Sequence, residues 1–201
     1  MALKFAVNNS LSAITTVPTA ISDTFGSMTL LQTQTASASA SIEFSLDDSY
    51  DSYIFKYINI QPVSGNNDKR FTLQASTNNG SSYGVTTTTT TFRATHDEND
   101  ASSGLSYTAS HDIAQSTSFF QLSDILIDDG DCNISGYLQL FNPSSTTFVK
   151  HFIARFSGSN DDECISGFGA GYFNTTSSLT NLKFQMDSGN LNGIIKMYGV
   201  A

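Results

Sequence analysis

Apolar and polar residues alternate with period two along most of this chain, and no long stretch repeats at the helical period. Ile42, Phe44 and Leu46 alternate with Ser41, Glu43 and Ser45, which predicts a strand with one wet face. In YIFKYINI, residues 53–60, Ile54, Ile58 and Ile60 oppose Phe55 and Tyr57. Phe71 to Ala75 predicts a third strand, closed by the turn signal Asn78-Asn79-Gly80. Six threonines at 86–91 are β-branched and suit a solvated edge or a strand facing another chain. Residues 94–118 read as a long excursion with a short strand around Leu105 to Thr108, and Phe119 to Ile127 returns the chain. Leu182, Phe184 and Met186 form a later strand face, Ser188-Gly189-Asn190 a turn, and Ile194 to Tyr198 a closing strand.

The run 132–155, CNISGYLQLFNPSSTTFVKHFIAR, organises the middle. Ile134, Leu138 and Leu140 share one parity. After Asn142-Pro143-Ser144-Ser145, Phe148, Phe152 and Phe156 share one face and Val149 and Ile153 the other, which predicts a β-hairpin with Pro143 in its loop. In ISGFGAGYF, Gly167, Gly169 and Gly171 alternate with Phe168, Ala170 and Tyr172. One face of that strand is bare, so an aromatic, a sheet or another subunit comes close to it. Roughly eight or nine strands and no amphipathic helix predict an all-β fold, an antiparallel two-sheet sandwich of jelly-roll type. The expected core is Ile42, Phe44, Ile54, Ile58, Leu138, Leu140, Ile153, Leu182, Phe184 and Met186.

Residues 1–39 differ from the domain expected over 40–201. Short apolar groups (Leu3, Phe5 and Val7; then Phe25, Met28 and Leu31) precede the polar stretch TQTASASAS, for which an extended linker is the compositional expectation. The segment is either an arm that contacts a partner surface, in a neighbouring subunit or in the domain itself, or a source of one or two further strands. Leu3, Phe5 and Val7 have strand parity for augmenting a partner's edge, and Phe25, Met28 and Leu31 are spaced to enter a groove. With Gly167, Gly169 and Gly171 they make up the attachment or interface candidates.

The 201 residues suffice for one core plus an arm. With 9 Lys and Arg against 18 Asp and Glu, the formal charge is -9, which argues against duplex nucleic acid or an anionic membrane as partner. No apolar run has membrane-spanning length, and the start carries no secretory pattern. Two strand spacings, about 9.6 Å, separate Cys132 from Cys164 in a simple meander, too far for a disulfide.

Candidate chemistry is sparse. His96, His111 and His151 form no ligand-spaced cluster, no nucleophile elbow is present, and no enzyme activity is expected. Asp128, Asp129 and Asp131, or Asp161, Asp162 and Glu163, offer hard oxygen ligands for calcium, although neither set has EF-hand spacing and solvated turns are the simpler reading.

Three phrases occur in order: Tyr50-Asp51-Ser52-Tyr53, SGYLQLFNPSSTTFVKHF at 135–152, and GYF followed by FQMDSGNLNGIIKMYG at 184–199. They resemble a small β-sandwich family of tailed bacteriophages, marine and cyanobacterial ones especially, over about residues 40–200. The resemblance implies a non-enzymatic virion protein without a cofactor, assembled in the host cytoplasm and released by lysis. It implies a tail-fibre or appendage subunit, a homotrimer touching other phage virion proteins and a host surface glycan. A capsid decoration protein that stiffens the head shell is the alternative.

Overall fold

The chain is described by a computed structural model over residues 28–63, 68–127, 130–160 and 162–200. Among the described residues twelve strands form two antiparallel sheets: β1 (Met28–Ser39), β2 (Ile42–Ser45), β3 (Ser52–Pro62), β4 (Phe71–Ser76), β5 (Thr87–Asp97), β6 (Ser103–Tyr107), β7 (Phe120–Gln121), β8 (Ile134–Phe141), β9 (Lys150–Asn160), β10 (Glu163–Phe173), β11 (Asn181–Met186) and β12 (Leu191–Val200). The long sheet has the order β1-β12-β3-β8-β9-β10-β5-β6 and the short one β2-β11-β4-β7. A single 3-10 turn at Ala109–His111 is the helical element among the described residues.

The sheets meet through aromatic rings. Phe44 of β2 lies 5.4 Å from Phe55 of β3, Phe71 of β4 lies 5.4 Å from Tyr57, and Phe120 of β7 lies 5.5 Å from Phe152 of β9. Such edge and tilted pairs add to the hydrophobic gain of burying each ring. Tyr57, wholly enclosed, donates its hydroxyl to the Arg155 carbonyl at 2.8 Å, and desolvation raises its pKa.

The β8–β9 hairpin forms as its pattern predicts, and Ile42, Phe44, Leu138, Leu140, Leu182, Phe184 and Met186 are buried. Several other expectations are corrected. Ile54, Ile58 and Ile153 point away from the second sheet; the interior takes Tyr53, Phe55, Tyr57, Phe152 and Phe156 from the opposite parity. Both parities of these strands are apolar, so alternation alone does not identify the inward one. Phe148 is in the loop after Pro143 and is 70% exposed, because strand pairing resumes only at Lys150. The threonine run is no edge: β5 lies between β10 and β6, with Thr87, Thr89 and Thr91 buried.

The linker expected at 32–39 is instead part of β1, the edge strand paired with β12 from Met28↔Val200 to Ser39↔Leu191. Ladder hydrogen bonds need only backbone, so a strand with mostly exposed Thr, Gln and Ser reads as linker in composition. Met28 and Leu31 are exposed on this strand, whereas Leu3, Phe5, Val7 and Phe25 lie outside the described residues.

Candidate functional site

The three alternating glycines of β10 fix which way the long sheet faces. A Cβ on Gly167 would land in the ring of Phe156; on Gly169 it would sit 2.8 Å from Phe120 Cζ; on Gly171 it would sit 2.6 Å from the Thr88 carbonyl oxygen. The bare face of β10 is therefore filled from within the same chain. Aromatic rings, not another subunit, take the space over Gly167, Gly169 and Gly171.

The other parity of β10 points outward, and its residues stand in register with large side chains of neighbouring strands. Thr33, Lys196, Lys56, Tyr137, Arg155, Phe168, Phe92 and Tyr107 form one cross-strand row over all eight strands. Phe92 and Phe168 stack with centroids 4.8 Å apart and planes 6° from parallel. The Arg155 guanidinium covers the other side of Phe168 at 4.6 Å. At the opposite end of the row the Lys56 ammonium is 5.3 Å from the Tyr198 ring.

Beside this row lie two shallow apolar hollows of about 280 Å³ and 340 Å³ that share Thr90, Ile153 and Ala170 as floor. Phe92 is 44% exposed, Tyr137 38% and Ile153 43%. Apolar side chains concentrated this way on one face mark a contact surface. A larger hollow of about 510 Å³ at the rim, among Ser82, Thr86, Thr117 and Asn174, is polar and holds no charged side chain.

The calcium candidates gain no support. Asp128, Asp129 and Asp161 lie outside the described residues, while Asp131 and Asp162 are exposed and Glu163 half-buried at the same end of the long sheet. The Glu98 amide donates to the Asp162 carbonyl at 2.8 Å, joining the β5–β6 and β9–β10 turns. Among the described residues no group of three or more His, Cys, Asp or Glu is placed to hold a metal. Cys132 is buried and Cys164 exposed, with β9 between their strands and no disulfide joining them.

Two buried polar features escaped the sequence reading. Lys150 is fully enclosed and donates to the Phe148 and Thr175 carbonyls, each at 3.0 Å; desolvation lowers its pKa. Lys150 ties the hairpin loop to the segment after β10. His111 is also buried, with its Nε2 3.7 Å from Asp124, whose carboxylate is engaged by Arg93. Desolvation first, then the charges of Arg70 and Arg93, push the His111 pKa down to about 4. The proximity of Asp124 does not reverse this, since Arg93 neutralises that carboxylate.

The surface row escaped the sequence reading as well. Its members lie on separate strands, and only the register of the ladders brings them together.

The three phrases of the resemblance meet in space. They fall on β12, β3, β8, β9 and β10, which are consecutive in the long sheet, and on β11 of the short sheet. The Asn142 amide donates to the Asp51 carbonyl at 2.7 Å, and the Tyr50 ring lies where a Cβ on Gly199 would sit, 2.5 Å away. Gly136 leaves room for Tyr57, its cross-strand partner. These residues serve packing, and none of them touches the Phe92–Phe168 stack. No protein-family model matches this chain, and neither the curated proteins nor the solved structures provide a match.

Proposed function

We propose that the chain is a non-enzymatic structural subunit of a tailed-bacteriophage virion, a tail-fibre or appendage protein with a jelly-roll head. The observation that carries this reading is the strand order. With β5, β6, β9 and β10 set aside as extensions of one sheet, the remaining strands in chain order run first-eighth-third-sixth in one sheet and second-seventh-fourth-fifth in the other. That is the interleaving of two Greek keys, an architecture used by capsid and lectin domains. The contact among Tyr50, Asp51, Asn142 and Gly199 supports treating the three resembling phrases as one unit.

In this reading the protein is a homotrimer, sits in the virion, contacts other virion proteins, and contributes to binding a host surface glycan. The capsid-decoration reading draws on a different observation. The exposed apolar outer face of the long sheet fits a base laid against shell subunits. Gold-labelled antibody against this protein on intact virions tests both. Label along the tail or fibres supports the appendage; label over the head shell replaces it with decoration; particles without label overturn both.

A further inference from the structure

We propose that the outer face of the long sheet is the surface through which copies of this chain associate, the aromatic half of one copy receiving the lysine half of the next. This rests on the homo-oligomer of the proposed function and names the surface that builds it.

The cross-strand row is chemically lopsided. Lys196 and Lys56 occupy its β12–β3 end, with Tyr198 beside them; Phe168, Phe92 and Tyr107 occupy its β10–β5–β6 end. Among the described residues neither Lys56 nor Lys196 has an ion pair, although the chain carries 18 acids. No carboxylate occupies an outward position on β12, β3, β8, β9, β10, β5 or β6 within this face. At the aromatic margin the Tyr107 hydroxyl donates to Asp112. One end thus offers unpaired cations, and the other offers ring π-density and a carboxylate. Each half suits the other: the lysine end holds no carboxylate, and the aromatic end has Asp112 at its margin beside the exposed Phe92 and Tyr107.

Ring orientation selects a protein over a sugar. Two rings stacked at 4.8 Å across neighbouring strands stand on edge, and Phe168 has one face covered by Phe92 and the other by Arg155. A pyranose has no free face of Phe168 to lie on. Side chains of a second copy do have hollows to enter, floored by Ile153 and Ala170.

The area is adequate. Eight strands spaced about 4.8 Å apart span roughly 34 Å, and strands of eleven residues such as β9, β10 and β5 run roughly 36 Å. Half of that face is about 600 Å². Two halves together bury about 1,200 Å², the lower bound for a stable specific interface. Unlike halves in contact make a heterologous joint, which closes into a ring when the rotation permits.

The test uses the full chain in sedimentation and light scattering at micromolar concentration. Phe92→Ser with Phe168→Ser removes one half, and Lys56→Glu with Lys196→Glu reverses the other. Each pair is expected to weaken self-association by about 30-fold, the effect of losing a central hot spot, with unchanged thermal unfolding of the monomer. Mixing the two defective proteins is expected to restore a one-to-one complex, because each retains the half the other lacks. If the phenylalanine variant does not fold, Ile153→Arg, which blocks the hollows and leaves the row intact, is expected to weaken association in the same way. A monomeric wild type, variants that associate unchanged, or mixed variants that fail to pair each overturn the proposal. A monomeric wild type that captures an acidic saccharide instead assigns the face to a glycan and likewise overturns it. Tail label on virions with a monomeric wild type sinks this interface and the homotrimer with it, and leaves the virion location standing. Association as expected with unlabelled virions sinks only the virion reading.

Discussion

The two faces of the long sheet are both apolar, yet only one is core. Inward stand Phe55, Tyr57, Phe152 and Phe156; outward stand Ile54, Ile58, Ile153, Tyr137 and Phe92. What separates them is volume. On the inner side β10 carries Gly167, Gly169 and Gly171, and the rings of Phe156, Phe120 and Phe152 occupy the space those glycines leave. On the outer side the same strand carries Phe168, Ala170 and Tyr172, with solvent above them. Inwardness follows where small residues of one strand are filled by large residues of another, because interiors pack to near-crystal density. The most direct way to break the comparison is Phe55→Ala. Its ring lies 5.4 Å from Phe44 and 5.5 Å from Phe184, so truncation leaves a cavity between the sheets. The expected loss is about 3–5 kcal/mol in denaturant unfolding.

The inner side also holds the group whose charge it tolerates least. His111 is buried near Arg70, Arg93, Asp112 and Asp124, and its pKa is lowered to about 4. The unfolded chain, with a histidine pKa near 6.5, therefore binds more protons than the folded one between those values. Stability from His111 is fully present above about pH 6.5 and is lost as pH falls toward 4, by up to about 3 kcal/mol. Comparing unfolding of the wild type with His111→Gln across pH 7 to 4 isolates this group from the carboxylates. The variant is expected to lack that portion of the slope, and parallel profiles would refute the assignment.

A smaller effect sharpens the glycine argument. In Gly169→Ala the new methyl carbon meets the far end of the Phe120 ring at 2.8 Å, so that ring must shift within the packed interior. A loss of about 1–3 kcal/mol is expected, as for overpacking generally. An unchanged unfolding midpoint would show that the ring yields freely and that volume does not set the inward side.

These features were unequally legible in the sequence. The β8–β9 hairpin could be read because Asn142-Pro143-Ser144-Ser145 marks its loop and Ile134, Leu138 and Leu140 share the parity that is buried. For β3 both parities are large and apolar, so the isoleucines drew the assignment that the aromatics hold. The edge strand β1 left no apolar signature, since its ladder with β12 depends on backbone groups that every residue has. Lys150 shares parity with Phe152 and Phe156, the side that proves inward, but nothing local marks its burial: the acceptors that make it tolerable come from Phe148 and from Thr175, twenty-five residues away. His111 sits in a polar excursion with no local signal; Arg93 and Asp124 approach it only once β5 and the segment after β7 are in place. The surface row required knowledge of register across the sheet, which pairwise alternation does not contain.

The smallest expected effect on stability is also the most discriminating between the faces. Ile153 lies on β9 between inward Phe152 and Ala154, in a strand whose backbone is paired on both sides by β8 and β10. It is 43% exposed and contributes to the floor of both outer hollows. Replacing it with threonine keeps β-branching and therefore the preference for an extended backbone. The hydroxyl reaches water in the monomer, so no polar group is left unsatisfied. Folding stability of the monomer is expected to change by no more than about 0.5 kcal/mol. In an assembled face the same hydroxyl is enclosed among Phe92, Phe168 and Ala170 of its own copy and the side chains of the next. Self-association is then expected to weaken severalfold at unchanged thermal midpoint in dilute solution, as read by sedimentation at several concentrations. Loss of folding stability comparable to Phe55→Ala would show instead that the outer face is already part of the core, and the contrast between the two faces would fail.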